Sequence, residues 1–137
     1  MAAIGMRCLI IANKTLPNRQ LAEATRERYT RERCAFYVVV PLDPISHRLT
    51  WDEEESIDAA RSRLDAFLGH LRERGMEADG EIGDADPVQA LQDVTRRLAI
   101  DDIIVSTLPP GTSRWLRVDV PARLRRAAGV PVTVVTG

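Results

Sequence analysis

The sequence predicts one α/β domain with a Rossmann-like architecture, in which a parallel sheet of five strands carries helices on both faces. Short apolar segments of strand length alternate along the chain with segments whose apolar residues repeat at helical spacing. The chain has 137 residues, of which 45% are hydrophobic. A single domain over residues 1–137 can therefore bury a core without disulfides or metals.

The first half of the chain contains two predicted strands and two predicted helices. Residues 8–12 form an apolar run, and β-branched and aromatic side chains fill residues 35–40, as is typical of buried strands. Between them, Asn18 is suited to cap a first helix. A proline-containing loop then leads to the clearest helix, which Gly75 is placed to end. The apolar face of that helix consists of Ile57, Ala60, Leu64, Phe67, Leu68 and Leu71.

The second half continues the alternation. A weak strand at 77–82 precedes Asp86 and Pro87, which form a good helix start with an apolar stripe that extends to Leu98. A strand at 102–106 leads through a loop to a last helix that carries Leu124, Ala127 and Ala128. This helix ends at Gly129 and is followed by a final strand at 130–135. Because helices separate the strands, each connection is a crossover, which makes the sheet parallel.

Composition excludes several classes of function. The formal net charge is only −1, whereas a general nucleic-acid binder needs a basic face. No apolar run reaches membrane-spanning length, and Arg7 interrupts the N-terminal apolar stretch, so we expect a cytoplasmic protein. Cys8 and Cys34 have neither a CxxC arrangement nor metal-ligand spacing. We expect both to be small core residues, the alternative being a redox contact between neighbouring strands.

Ligands of an open parallel sheet bind beyond the carboxyl ends of the strands, where the strand order reverses. The loop after the first strand has no GxGxxG or GxxxxGK[ST] motif, so it predicts neither dinucleotide nor P-loop binding. The loop after the fourth strand combines two prolines with glycine, hydroxyl and guanidinium groups, which suit a phosphate or carboxylate. Its alternative interpretation is a rigid connector. The candidate ligand-binding residues are Asn13, Lys14, Thr15, Val40, Ser106, Thr107, Gly111, Thr112, Ser113, Arg114 and Asp119.

No arrangement of nucleophile, base and orienting group is recognisable, and we predict neither catalytic residues nor a metal site. His47 and His70 are isolated in the sequence. His70 lies off the main apolar stripe of its helix, so we expect its side chain to be solvated.

The block DDIIVSTLPPGTSRWLRVDVPARLRRAAGVPVTVV, residues 101–135, resembles the C-terminal part of universal stress proteins. Members of that family have a strand of the form D-x-[IV]-V-[VM]-G, a loop G-x-x-G, a G-[ST] pair, a helix and a strand A-x-x-P-V-x-V-V. Residues 102–105 match the first strand, and residues 128–132 match the last. The resemblance implies the strand order 3-2-1-4-5 and a homodimer joined across the final strands.

This sequence departs from the family pattern at the nucleotide site. Ser106 and Pro109 occupy glycine positions, and Val118 and Asp119 align with the G-[ST] pair. Glycines let the backbone approach phosphates closely, which valine and proline do not. Asp119 precedes Val120 and Pro121, so we expect its carboxylate to cap the last helix. The resemblance, with these departures, implies a branch of the family that binds no cofactor. The alternative is a protein that binds ATP or another nucleotide.

Three functions remain open from the sequence. The first is a non-catalytic homodimeric domain acting in stress response or regulation. Its interface is the final strand, which contains no charge and leaves an edge open for pairing. The predicted interface residues are Val130, Val132, Thr133, Val134 and Val135. The second is a binding module for a small anion that uses the loop from Ser106 to Arg114, and the third is an enzyme on the same scaffold.

Overall fold

The computed structural model describes residues 6–12, 19–42, 53–107 and 119–136. Within these ranges, five strands alternate with four helices. The strands are β1 (Arg7–Ala12), β2 (Ala35–Pro41), β3 (Ala78–Gly83), β4 (Asp102–Thr107) and β5 (Val132–Thr136). The helices are α1 (Arg19–Arg31), α2 (Glu53–Glu73), α3 (Pro87–Thr95) and α4 (Val120–Ala128).

The strands form one sheet in the order β3-β2-β1-β4-β5, and every neighbouring pair is parallel. The predicted fold class and strand order are therefore confirmed. The order reverses between β1 and β4, where Cys8 lies beside Asp102 at one end and Ala12 lies beside Ser106 at the other. This second end is the carboxyl edge of the sheet, where a ligand is predicted to bind.

Two apolar layers cover the sheet, one on each face. Inward residues of α1 and α2, such as Leu21 and Phe67, pack on one face against Ile10 and Val38. Residues of α3 and α4 pack on the other face against the alternate side chains of the same strands. Since successive strand residues point to opposite faces, both faces of the central strands are apolar, as continuous apolar runs predict.

Local signals place the helix ends correctly. Asp86 has an extended backbone, and its carboxylate accepts a hydrogen bond from the amide of Val88 at 2.9 Å. Pro87 occupies the first turn, where a missing amide costs nothing. Gly75 and Gly129 have φ of 82° and 68°, the left-handed conformation that ends a helix cheaply only in glycine.

β3 forms a strand because it pairs with β2, not because its sequence is apolar. A Cβ atom on Gly80 would lie 2.4 Å from the carbonyl oxygen of Val38, and one on Gly83 would lie 2.6 Å from Cγ2 of Val39. Glycine at both positions therefore permits a close approach of β3 to β2. Of the six residues, Ala78 alone is buried, which explains the weak apolar signal.

The end of the chain differs from the prediction in two details. The last strand begins at Val132, not at Val130, although the carbonyl of Pro131 already accepts the amide of Ile103 at 2.9 Å. In α4, Leu124 is buried with Val120 and Pro121, whereas Ala127 is exposed. Ala128 is half-buried and packs on the same core layer as Leu124.

At the amino ends of the strands, a buried ion pair joins α1 to β4. Nε and Nη2 of Arg28 donate to the two carboxylate oxygens of Asp102 at 2.7 and 3.1 Å. Cys8 and Cys34 lie in the same core layer and are 0% and 3% exposed, which confirms that both are core residues. Burial, with Asp102 nearby, raises the pKa of the Cys8 thiol, and burial raises the pKa of Cys34 to about 11.

Candidate functional site

The carboxyl ends of β1 and β4 form the floor of the candidate site. Ala12, Ser106 and Thr107 are completely buried there, and Ser106 lies between Ala12 of β1 and Val135 of β5. Two hydroxyl side chains thus lie at the point where the strand order reverses. The position agrees with the rule that predicted it, since helices on opposite faces diverge at such a point and leave a crevice.

Only part of the predicted set lies within the described residues. Asn13, Lys14 and Thr15 lie outside them, as do Gly111, Thr112, Ser113 and Arg114. Val40 is described and lies near the carboxyl end of β2, where its side chain is 6% exposed and packs in the α1–α2 layer. The side chain of Val40 therefore packs in the core, and its backbone lies near the carboxyl edge of the sheet.

Asp119 does not cap α4 with its carboxylate, so that expectation is wrong. Its backbone is left-handed, with φ 54° and ψ 46°, and its exposed side chain makes no capping hydrogen bond. A capping side chain needs an extended backbone, which Asp86 has and Asp119 lacks. Among the described residues, Asp119 alone combines a side chain with positive φ, a conformation that aspartate tolerates better than most residues.

The start of α3 adds negative charge to the same end of the domain. Asp84 and Asp86 are exposed, and the amide of Asp86 donates to Asp84 at 2.9 Å. Arg123 of α4 lies 3.7 Å from the carboxylate of Asp86 and links the two helices. In the described part of the chain, no group of three or more histidine, cysteine or acidic residues is arranged to hold a metal ion.

β5 lies at the edge of the sheet, and no described strand pairs with its outer side. Val132 packs on the α3–α4 layer and Val135 on the α1–α2 layer, whereas Thr133 is exposed. The amide of Ile103 donates to Pro131, and alternation along a parallel ladder then points the amides of Thr133 and Val135 toward β4. The amides of Val132 and Val134 consequently point outward.

A cavity lies between α1 and α2, and sequence reasoning missed it. Its lining includes Arg19 and Arg26, seven residues apart on α1, and Ala66, His70 and Arg74, each four residues apart near the end of α2. His70 is half-buried in this lining, so the expectation of a solvated side chain is wrong. The helical spacing of these basic residues is the signal that could have revealed the groove.

The chain is similar to the solved structure of a universal stress protein from Archaeoglobus fulgidus. The TM-score is 0.65, the match covers 96% of this chain and 94% of that one, and 18% of the residues are identical. At this identity the similarity shows the fold alone. No family model and no curated protein sequence matches the chain. The described helices include none that is long and apolar enough to cross a membrane.

Proposed function

We propose that this protein is a non-catalytic, homodimeric domain of the universal stress protein kind. It acts in the cytoplasm as a stress-response or regulatory protein and does not bind ATP in the usual manner of that family. The observation that carries the proposal is Asp119, an exposed carboxylate with a left-handed backbone at the start of α4. In the family pattern, this part of the chain belongs to the phosphate-binding loop.

The local chemistry supports the absence of ordinary ATP binding. A phosphate placed at the start of α4 meets the negative charge of Asp119, and Asp84 and Asp86 lie at the neighbouring helix start. Pro121 removes one amide from the first turn of α4, which leaves fewer donors for an anion. Ser106 replaces a family glycine and is completely buried, so a Cβ atom and a hydroxyl occupy space that glycine leaves open.

The homodimer is supported by the outer edge of β5. This strand contains no charged side chain, and charged side chains are a common means of blocking edge-to-edge pairing. The outward amides of Val132 and Val134 can pair with the equivalent strand of a second copy about a two-fold axis. Pairing of the two strands would continue the sheet across both protomers.

Two measurements test this proposal. Light scattering coupled to size-exclusion chromatography should give twice the mass of one chain at tens of micromolar protein. Calorimetric titration with ATP should show no binding in the low micromolar range. A monomer at that concentration contradicts the dimer, and low-micromolar ATP affinity contradicts the proposed loss of nucleotide binding.

A second candidate function is a binding module for a different small anion at the loop from Ser106 to Arg114. It is favoured by the position of Ser106 and Thr107 at the carboxyl end of β4, beside the reversal of strand order where ligands bind in this class of sheet. Mass spectrometry of small molecules that co-purify with the protein tests it. A stoichiometric anion that co-purifies with the unmodified protein but not with Thr107→Val would support this function over the first.

A further inference from the structure

The groove between α1 and α2 has the dimensions of a small-molecule site. Its cavity volume is about 560 Å³, within the range of known ligand pockets. None of its lining residues belongs to the candidate set at the carboxyl edge. The residues used below are Arg19, Arg26, Ala66, Phe67, His70 and Arg74.

The floor of the groove is apolar. Phe67 belongs to the core layer beneath and is 2% exposed, so it forms a fixed base. Ala22 of α1 and Ala66 of α2 are small residues that leave space above it. An apolar group in the groove would displace water from the methyl groups of these two alanines, which is favourable and non-directional.

The rim of the groove is cationic. The guanidinium groups of Arg26 and Arg74 form no ion pair or hydrogen bond with any described residue, and both residues are exposed. Glu23 is the acidic residue of the lining, and it lies 3.7 Å from Arg19, with both side chains mostly in solvent. Positive charge at the rim is therefore only partly balanced.

We propose that this groove binds a small amphipathic anion, a carboxylate or phosphate group attached to an aromatic or aliphatic body. The anionic group pairs with Arg26 and Arg74, whose planar guanidinium groups can each donate two parallel hydrogen bonds to carboxylate or phosphate oxygens. The apolar body lies on Ala22 and Ala66, above the buried ring of Phe67. This site is additional to the proposed function and does not depend on nucleotide binding or on the dimer.

Matched probes separate charge from apolar contact. The protein is titrated with 2-naphthoate, 2-naphthyl phosphate, neutral 2-naphthamide and acetate, and amide chemical shifts are followed by ¹H–¹⁵N NMR. We expect a naphthyl anion to shift the amides of residues 22–26 and 66–74, and to bind more tightly than both naphthamide and acetate. The comparison of naphthoate with naphthyl phosphate identifies which anionic group the rim prefers.

Variants locate the site. Arg26→Ala combined with Arg74→Ala should weaken naphthyl anion binding by about tenfold or more, since two charge-assisted contacts are lost. Ala66→Glu, at an exposed helical position, should weaken it by adding a carboxylate to the floor. Arg126→Ala removes an exposed arginine of α4 and should leave binding unchanged. Unfolding curves for each variant verify that the fold is retained.

Several results would overturn the inference. They are shifts that map outside the groove, equal affinity for naphthamide and naphthoate, or an Arg26/Arg74 double variant that binds as the unmodified protein does. Failure of this inference is distinguishable from failure of the proposed function, because ATP titration and light scattering report on different surfaces of the protein.

Discussion

Removing the carboxylate that pairs with Arg28 should destabilise the domain strongly. The side chains of Arg28 and Asp102 are only 6% and 20% exposed, and they meet through the paired contacts of 2.7 and 3.1 Å. The remaining Nη1 group donates to the carbonyl of Glu32 at 2.6 Å. The hydrogen bonds to Asp102 raise the pKa of Arg28. Because a guanidinium is not deprotonated in proteins even without such a partner, Arg28 keeps its charge when Asp102 is replaced.

The expected magnitude follows from this burial. Asp102→Asn leaves a buried cation without a counter-charge, which costs about 3–5 kcal/mol. That is a large share of a typical stability of about 5–15 kcal/mol. Arg28→Met combined with Asp102→Leu removes both charges and replaces them with apolar groups, so it should cost less than Asp102→Asn alone.

Urea unfolding at pH 7, followed by circular dichroism, measures these differences. Arg96→Met is the control, because Arg96 lies 3.6 Å from Asp93 and their side chains are 71% and 40% exposed. This exposed pair should contribute less than about 1 kcal/mol. If Asp102→Asn costs no more than Arg96→Met, or if the double variant is less stable than Asp102→Asn, the assigned role of the buried pair is wrong.

Four further predictions concern other parts of the molecule. Gly80→Ala should lower the free energy of unfolding by about 1–3 kcal/mol, because its Cβ would lie 2.4 Å from the carbonyl oxygen of Val38. Gly69→Ala is the control, because a Cβ there would meet no other atom, and it should raise the free energy of unfolding by up to about 1 kcal/mol. Equal effects of the two variants in urea unfolding would contradict this. The Cys34 thiol has a pKa raised from 9.0 to about 11, so the folded state holds this proton more tightly than the unfolded state. The contribution of this thiol to the stability of the fold is therefore complete below pH 9 and is lost as the pH rises toward 11. The unmodified protein should lose more stability between pH 8 and 10 than Cys34→Ala does, and an equal loss would refute the assignment. Val134→Pro should convert the dimer to a monomer in light scattering without unfolding it, because it removes an outward amide; Val134→Ala is the control, and a dimeric proline variant would rule out pairing through β5. Asp119→Asn tolerates the left-handed backbone and should raise ATP affinity by less than roughly tenfold, because an exposed charge acts through water, while Val118→Gly with Asp119→Ser should raise it further; no gain in calorimetry from either variant would exclude these residues as the cause of weak binding.

The sequence alone predicted the elements of this fold because their signals are local. Alternation of apolar runs and helical stripes assigned the layers, and the start of α3 at Asp86 and the ends of α2 and α4 at Gly75 and Gly129 followed from capping chemistry. The strand order came from the resemblance to universal stress proteins, and the structure confirms it. That strand order puts Ser106 and Thr107 beside its reversal, and their role in ligand binding stays a prediction.

Tertiary structure decided the features that depend on residues far apart in the chain. Arg28 and Asp102 are 74 positions apart, and no local pattern pairs them. Gly80 is needed because of a carbonyl on another strand, and Asp119 has a left-handed backbone that its helix-start sequence does not indicate. The cationic groove exists only because α1 and α2 lie side by side on one face of the sheet. Periodicity fixes which face of a helix is buried, but the neighbour of its exposed face depends on how the whole chain packs.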